Sequence, residues 1–242
     1  MIQQQPNFEL LESFLWEPKN GYFLLDRHLQ RLERSADYFN FPLSLTEATK
    51  ALQALSMTCG SVKQKIRLTI SCKGNITLQA QTLDSGILKI GASVGIARKP
   101  IDSQSPFLYH KTTYRLPYTM ALESQPEYQD VFLWNQDGVI TESTIANIAI
   151  DTPAGLITPP LKCGLLPGTF RSQLLEEGKI REQLITLDDF RRTKTLFLIN
   201  SVRGWIRLKK EANRDIWKVV SMADITLSIN FIRVQTMYLT IT

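Results

Sequence analysis

Apolar and polar residues along this chain recur with two different periods. Residues 8–16 (FELLESFLW) and 22–25 read as two strands of a hairpin that turns at Glu17 to Gly21. The period then lengthens. Leu25, Leu29, Leu32, Ala36 and Phe39 recur at steps of four and three, the stripe of an amphipathic helix. Asp26 is the expected N-cap of that helix, and Pro42 lies just beyond its end. Ser44 and Glu47 form a capping-box pattern for a second helix over residues 45–57. Strict alternation returns in Ile66, Leu68, Ile70 and in Ile76, Leu78, Ala80, joined by a turn over Cys72 to Asn75. It recurs once more from Leu88 to Ile96. These elements predict a first unit of α+β class with an antiparallel sheet, over residues 1–100.

The polar stretch 98–106 (RKPIDSQSP) is the expected linker. Beyond it, residues 130–134 read as a strand, Asn135 to Gly138 as a hairpin turn, and the run through 144–150 as the returning strand. Thr169 to Glu177 reads as a short helix with Gly178 past its end, and 194–199 (KTLFLI) as a further strand. The second unit is expected over 107–210, leaving 211–242 as an apolar, strand-like extension outside the catalytic unit.

Composition narrows the class. The chain has 242 residues, of which 43% are apolar and 21% charged, ordinary values for a globular protein and far from a disordered one. No apolar run reaches the ~18 residues of a membrane span, and the opening MIQQQPNFELLESF is not patterned as a secretory signal. Three scattered cysteines (Cys59, Cys72, Cys163) read as reduced thiols of a cytoplasmic protein, with no zinc site or other metal centre expected. The two histidines, His28 and His110, make a His-based triad a poor expectation. The net charge is +5, but the basic residues are scattered and match no nucleic-acid motif. Small anionic ligands fit this charge as well as a polymer does; a non-enzymatic polyanion-binding protein is the alternative of a different class.

Five segments carry candidate chemistry. In CGLLPGTFRSQLLEEG a glycine and proline turn feeds a helix, whose first amides at Gly168, Thr169 and Phe170 either bind an anion or simply start a capped helix. In INSVRGW, Ser201 and its neighbours end a strand as a second anion nest or as an ordinary turn. Arg27, Arg31 and Arg34 form a solvated face, unless Arg31, next to Leu32, turns inward. Lys111, beside FLYH, is either a surface charge or a desolvated amine nucleophile. Glu142, within VITESTIANIAI, is either exposed on one strand face or buried against a positive group.

Taken in order, DRHLQRLERSADYFNFP, HKTTYR, GVITESTIANI, GLLPGTFR and NSVRGW resemble the class IV (fold-type IV) pyridoxal-phosphate (PLP) aminotransferase family across residues 8–208. HKTTYR and NSVRGW are most similar to its aminodeoxychorismate lyase branch. The resemblance implies a two-domain α+β fold, the smaller domain built on an antiparallel sheet and the larger resembling a pseudobarrel. It implies that Lys111 holds PLP as a Schiff base and that Glu142 pairs with the pyridine nitrogen. Arg31, the Thr169 and Phe170 amides, the Ser201–Val202 turn and the hydroxyls of Ser201 and Thr169 would hold the phosphate. Ser13 falls near a threonine that assists proton transfer in some lyases, and Arg115 and Arg203 are the candidates for the substrate carboxylates. The implied reaction is conversion of 4-amino-4-deoxychorismate to 4-aminobenzoate and pyruvate, in folate biosynthesis. A homodimer and a functional link to aminodeoxychorismate synthase are also implied. A branched-chain or D-amino acid transaminase on the same scaffold is the alternative. Residues 211–242 have no counterpart in the family pattern.

Overall fold

The computed structural model describes residues 7–83 and 88–222. The first hairpin is β1 (Leu10–Glu17) and β2 (Gly21–Tyr22). It is followed by α1 (Leu25–Phe39), α2 (Leu45–Ser56), β3 (Gln64–Ile70) and β4 (Ile76–Thr82). The four strands make an antiparallel sheet in the order β2-β1-β3-β4. α2 starts as its capping box predicts, with the Glu47 amide donating to Ser44 Oγ at 3.3 Å. α1 does not start at Asp26. Its N-cap is Leu24 in the left-handed region (φ 57°), and Asp26 sits within the first turn, where its charge complements the helix dipole.

Strand parity divides this sheet into two working faces. Leu10, Phe14 and Trp16 of β1 join Ile66, Leu68 and Ile70 of β3 in a core closed by Leu32 and Ala36 of α1 and Leu52 of α2. Glu12 has the same parity as Leu10 and Phe14, so a carboxylate is carried under α1, fully buried. Ser13 and, paired with it across the ladder, Arg67 occupy the opposite face.

The larger sheet has nine strands among the described residues, in the order β10-β9-β8-β11-β12-β13-β5-β6-β7. In chain order these and their helices are β5 (Ser93–Ile96), α3 (Leu116–Glu123), β6 (Asp130–Trp134), β7 (Ile140–Ser143), β8 (Asn147–Thr152) and β9 (Gly155–Thr158). Then follow α4 (Thr169–Glu176), β10 (Arg181–Glu182), α5 (Leu187–Arg192), β11 (Thr195–Asn200), β12 (Gly204–Lys210) and β13 (Trp217–Val219). The sheet is mixed, with β9/β10 and β5/β6 parallel. The run expected as one strand through 144–150 is broken. Ser143 Oγ accepts the amides of Ile145 and Ala146, and the tight turn separates β7 from β8. That turn ties the last strand of the sheet back to its third and curls it. The architecture is the expected α+β pair of a small antiparallel sheet and a larger curled one.

Two expected boundaries change. The alternating run ending at Ile96 belongs to the larger sheet, where Val94 is buried and β5 lies parallel to β6, so the smaller sheet ends with β4 and not near residue 100. The extension expected after residue 210 also begins inside the fold. β13 bridges β12 and β5, and Trp217, fully buried, packs its ring 5.4 Å from Phe132 and 4.8 Å from Phe190. Alternation shows that a segment is a strand but not which sheet it completes. The rest of that extension, residues 223–242, lies outside the described residues.

Candidate active site

A cavity of about 810 Å³ opens between the two sheets. Ser13 of β1, Arg31 of α1, Lys111 and Arg115 before α3, Glu142 at the end of β7, Thr169 at the start of α4, and Ser201, Val202 and Arg203 in the β11–β12 turn all line it. Of the residues expected at the site, only Phe170 is absent from this lining. Its side chain packs between Phe23 and Trp205, each at a 6.0 Å ring separation, so only its backbone is available at the α4 start.

Glu142 is buried, and three donors surround its carboxyl: Tyr118 Oη at 2.9 Å, the Leu166 amide at 3.2 Å and Asn147 Nδ2 at 3.1 Å. Burial pushes its pKa up to about 7 in spite of these bonds and of the nearby Arg115 and Lys111 charges. Tyr118 also lies under the Arg115 guanidinium, 4.3 Å from the ring centre. The Lys111 amine faces the cavity from a half-buried position. Desolvation, then the Arg31 charge, lowers its pKa to about 7, with Arg115 adding to the fall and Glu12 and Glu142 opposing it. A cavity with a carboxyl and an amine both near neutrality suits proton transfer.

Arg31 turns inward, as its place beside Leu32 allowed. Its Nε and one terminal nitrogen donate to Glu12 at 2.8 and 2.7 Å, and the other terminal nitrogen to the Pro167 carbonyl at 3.0 Å. Three of a guanidinium's five N–H groups are thus engaged within the protein, and the remaining face borders the cavity. The α4 start supplies further donors. Its first intrahelical bond runs from the Ser172 amide to the Gly168 carbonyl at 2.8 Å, leaving the Thr169 and Phe170 amides at the helix N-terminus. In the β11–β12 turn the Val202 amide, expected to face a phosphate, donates instead to Asn200 Oδ1 at 3.1 Å, as does the Arg203 amide at 2.8 Å. The Ser201 hydroxyl donates to the Ser13 carbonyl at 3.4 Å.

These groups fit PLP chemically. They comprise a buried carboxyl for a cationic ring nitrogen, an amine for an aldehyde, and a guanidinium, a hydroxyl and helix-start amides for a phosphate. Gly168 shows how closely the parts are set. A Cβ there would lie 2.0 Å from Asn147 Oδ1, so only glycine lets the α4 start rest against the Asn147–Glu142 pair.

Residues that the sequence pattern did not single out also belong to this site. Lys65 and Arg67 of β3 line the cavity, as their alternation against Ile66 and Leu68 would have indicated. Glu12, His28, Tyr118 and Asn147 supply buried polar contacts. His28 was readable in principle, since it stands four residues before Leu32 on the apolar stripe of α1. Among the described residues there is no group of three or more His, Cys, Asp or Glu side chains placed to hold a metal ion, and no helix long and apolar enough to cross a membrane.

The sequence pattern of the family described as Amino-transferase class IV matches residues 9–210. A Schizosaccharomyces pombe protein provisionally named aminodeoxychorismate lyase is 33% identical over 207 residues, covering 80% of this chain and 86% of that protein. A Thermotoga maritima protein provisionally named branched-chain-amino-acid aminotransferase is 28% identical over 216 residues, covering 84% of this chain and 76% of that one. Among solved structures, a provisionally named amino-acid aminotransferase from Mesorhizobium loti superposes with a TM-score of 0.75 at 35% identity, over 83% of this chain and 98% of that one.

Proposed function

Because this chain belongs to the class IV aminotransferase family, and is accordingly a PLP-dependent enzyme, we propose that it converts 4-amino-4-deoxychorismate to 4-aminobenzoate and pyruvate. The observation that carries this choice is the charge of the cavity wall. Lys65, Arg67, Lys89, Arg115 and Arg203 line it together with Arg31 and Lys111, and Glu142 is the one acidic residue among the described lining residues. A substrate with two carboxylates suits that wall, whereas a branched aliphatic amino acid calls for an apolar pocket and one cation.

PLP, held through Lys111, supplies an aldehyde for the substrate amine and a ring that withdraws electrons from the amine-bearing carbon. The protein does the rest. Glu142, its carboxyl fixed by Tyr118, Leu166 and Asn147, would hold the ring nitrogen in its cationic form. Arg31, the Thr169 hydroxyl, the α4 amides and Ser201 would hold the phosphate. Lys111 Nζ would take the proton from the amine-bearing carbon of the substrate. Loss of the enolpyruvyl group would make the substrate aromatic, and Lys111 Nζ would return the proton to the leaving three-carbon fragment. Arg115 and Arg203 take the substrate carboxylates, and Ser13 assists proton transfer. The functional unit is proposed to be a cytoplasmic homodimer that works with an aminodeoxychorismate synthase.

Transamination is the second reading, favoured by the Thermotoga maritima relative. It uses the same lysine, carboxylate and phosphate donors. The test compares two reactions on purified protein: release of 4-aminobenzoate with pyruvate, and amine exchange between amino acids and 2-oxo acids. Stoichiometric aromatic product is expected. Fast exchange without it would replace the lyase by a transaminase.

Glu142→Gln is expected to keep PLP bound while lowering single-turnover rate about a hundredfold, because a neutral amide cannot hold a ring cation. A rate equal to the parent's would remove Glu142 from this role.

A further inference from the structure

Behind the Thr169 hydroxyl lies a buried relay that the proposed reaction does not use. The Glu12 carboxylate accepts two bonds from Arg31 and stands 2.6 Å from His28 Nδ1. The other ring nitrogen, His28 Nε2, stands 3.1 Å from Thr169 Oγ1. His28 has no solvent exposure. The groups facing it are Glu12 and the Phe14 ring from β1, Arg31 from its own helix, the Lys111 charge, and Thr169 from α4.

Burial alone would raise the Glu12 pKa, but the Arg31 and His28 charges and hydrogen bonds outweigh it and bring it down to about 2. Glu12 is therefore an acceptor only, and His28 Nδ1 carries a proton in either charge state. That leaves Nε2 as the one variable. When His28 is neutral, Nε2 has a lone pair and takes the single proton of the Thr169 hydroxyl. The hydroxyl then presents only lone pairs to the cavity and repels an anion. When His28 is protonated, Nε2 donates to Oγ1, and the hydroxyl proton is free to donate into the cavity.

We propose that His28, through its protonation state, decides whether Thr169 can donate to the phosphate of a bound ligand, so that binding a phosphorylated ligand takes up a proton at His28. This rests on the reading that the PLP phosphate sits at the start of α4. His28 is a positioning residue in this scheme and touches no reacting atom. In the ligand-free chain, burial first, then the Arg31 and Lys111 charges, depress its pKa against the pull of Glu12. An anion at Thr169 raises it again. The proton-linked part of phosphate affinity is thus complete below the ligand-free titration point and is lost as pH rises through the ligand-bound one.

With only two histidines in the chain, His28 and His110, ring-carbon labelling yields two resolvable NMR titrations. They are followed without ligand, with pyridoxal and with PLP. PLP is expected to raise the His28 midpoint by about one pH unit, a tenfold gain in proton affinity, relative to pyridoxal, which lacks the phosphate. His110 should titrate alike with both ligands. Thr169→Ser should keep the difference, and Thr169→Val should cut it to the through-space effect of the phosphate charge, because the hydroxyl that links His28 Nε2 to the cavity is gone. An equal His28 midpoint with PLP and pyridoxal, or a full shift in Thr169→Val, overturns the proposal while leaving the cofactor site in place. Failure of PLP to bind at all, seen as missing visible absorbance, overturns the cofactor reading and the proposal with it.

Discussion

Replacing Lys111 with alanine is expected to lower turnover by about four powers of ten, because the residue proposed both as the covalent anchor of the cofactor and as the carrier of the substrate proton is lost. PLP should still bind through its phosphate and ring nitrogen. Its spectrum should then be that of a free aldehyde, and borohydride should leave no label on the protein. A pH dependence belongs to the same residue. An amine reacts with an aldehyde only when deprotonated, and burial with the Arg31 and Arg115 charges brings the Lys111 pKa down to about 7. The rate at which ligand-free protein captures PLP should therefore climb as pH rises through about 7, well below the ~10.4 of an ordinary lysine. Turnover in Lys111→Ala within tenfold of the parent would contradict both roles.

Truncation after Lys210 is expected to be as damaging, but through the fold. It removes β13, which joins β12 to β5, and with it Trp217 from the center of the larger core. Trp217→Ala alone should cost about 3–5 kcal/mol, the range for emptying the space of a buried large aromatic. The truncated chain also exposes two strand edges to pairing with other chains. Denaturant unfolding of Trp217→Ala and sedimentation of the truncated chain are the measurements. A soluble truncated protein with parental stability would show that β13 adds nothing to the sheet.

Much of this fold was legible because its elements have strong local signals. The α1 stripe from Leu25 to Phe39, the Ser44–Glu47 capping box and the alternation of Ile66, Leu68 and Ile70 each settle an element from neighbouring residues alone. Partner choice was not legible. Ser93–Ile96 and Trp217–Val219 meet across more than a hundred residues of chain, and no local period records that pairing. The cavity-facing groups at Arg31, Lys111, Glu142 and Thr169 could be picked out as fragments, and their convergence followed from the family likeness. The groups behind them were harder to see. Glu12 looks like the polar partner in an alternating strand, yet by parity it lies on the apolar side, where His28 and Arg31 hold it. Such a carboxylate is recognizable only once α1 is placed over β1. The α1 start was missed for a related reason, since a left-handed Leu24 leaves no capping side chain to read.

The most direct measurement is borohydride reduction of the PLP-loaded protein, followed by peptide mass analysis. Lys111 is the expected site of a single reduced cofactor, with the visible absorbance lost in proportion to the label. Label on any other lysine, or PLP absorbance that reduction does not convert into a covalent adduct at Lys111, would contradict the active site described.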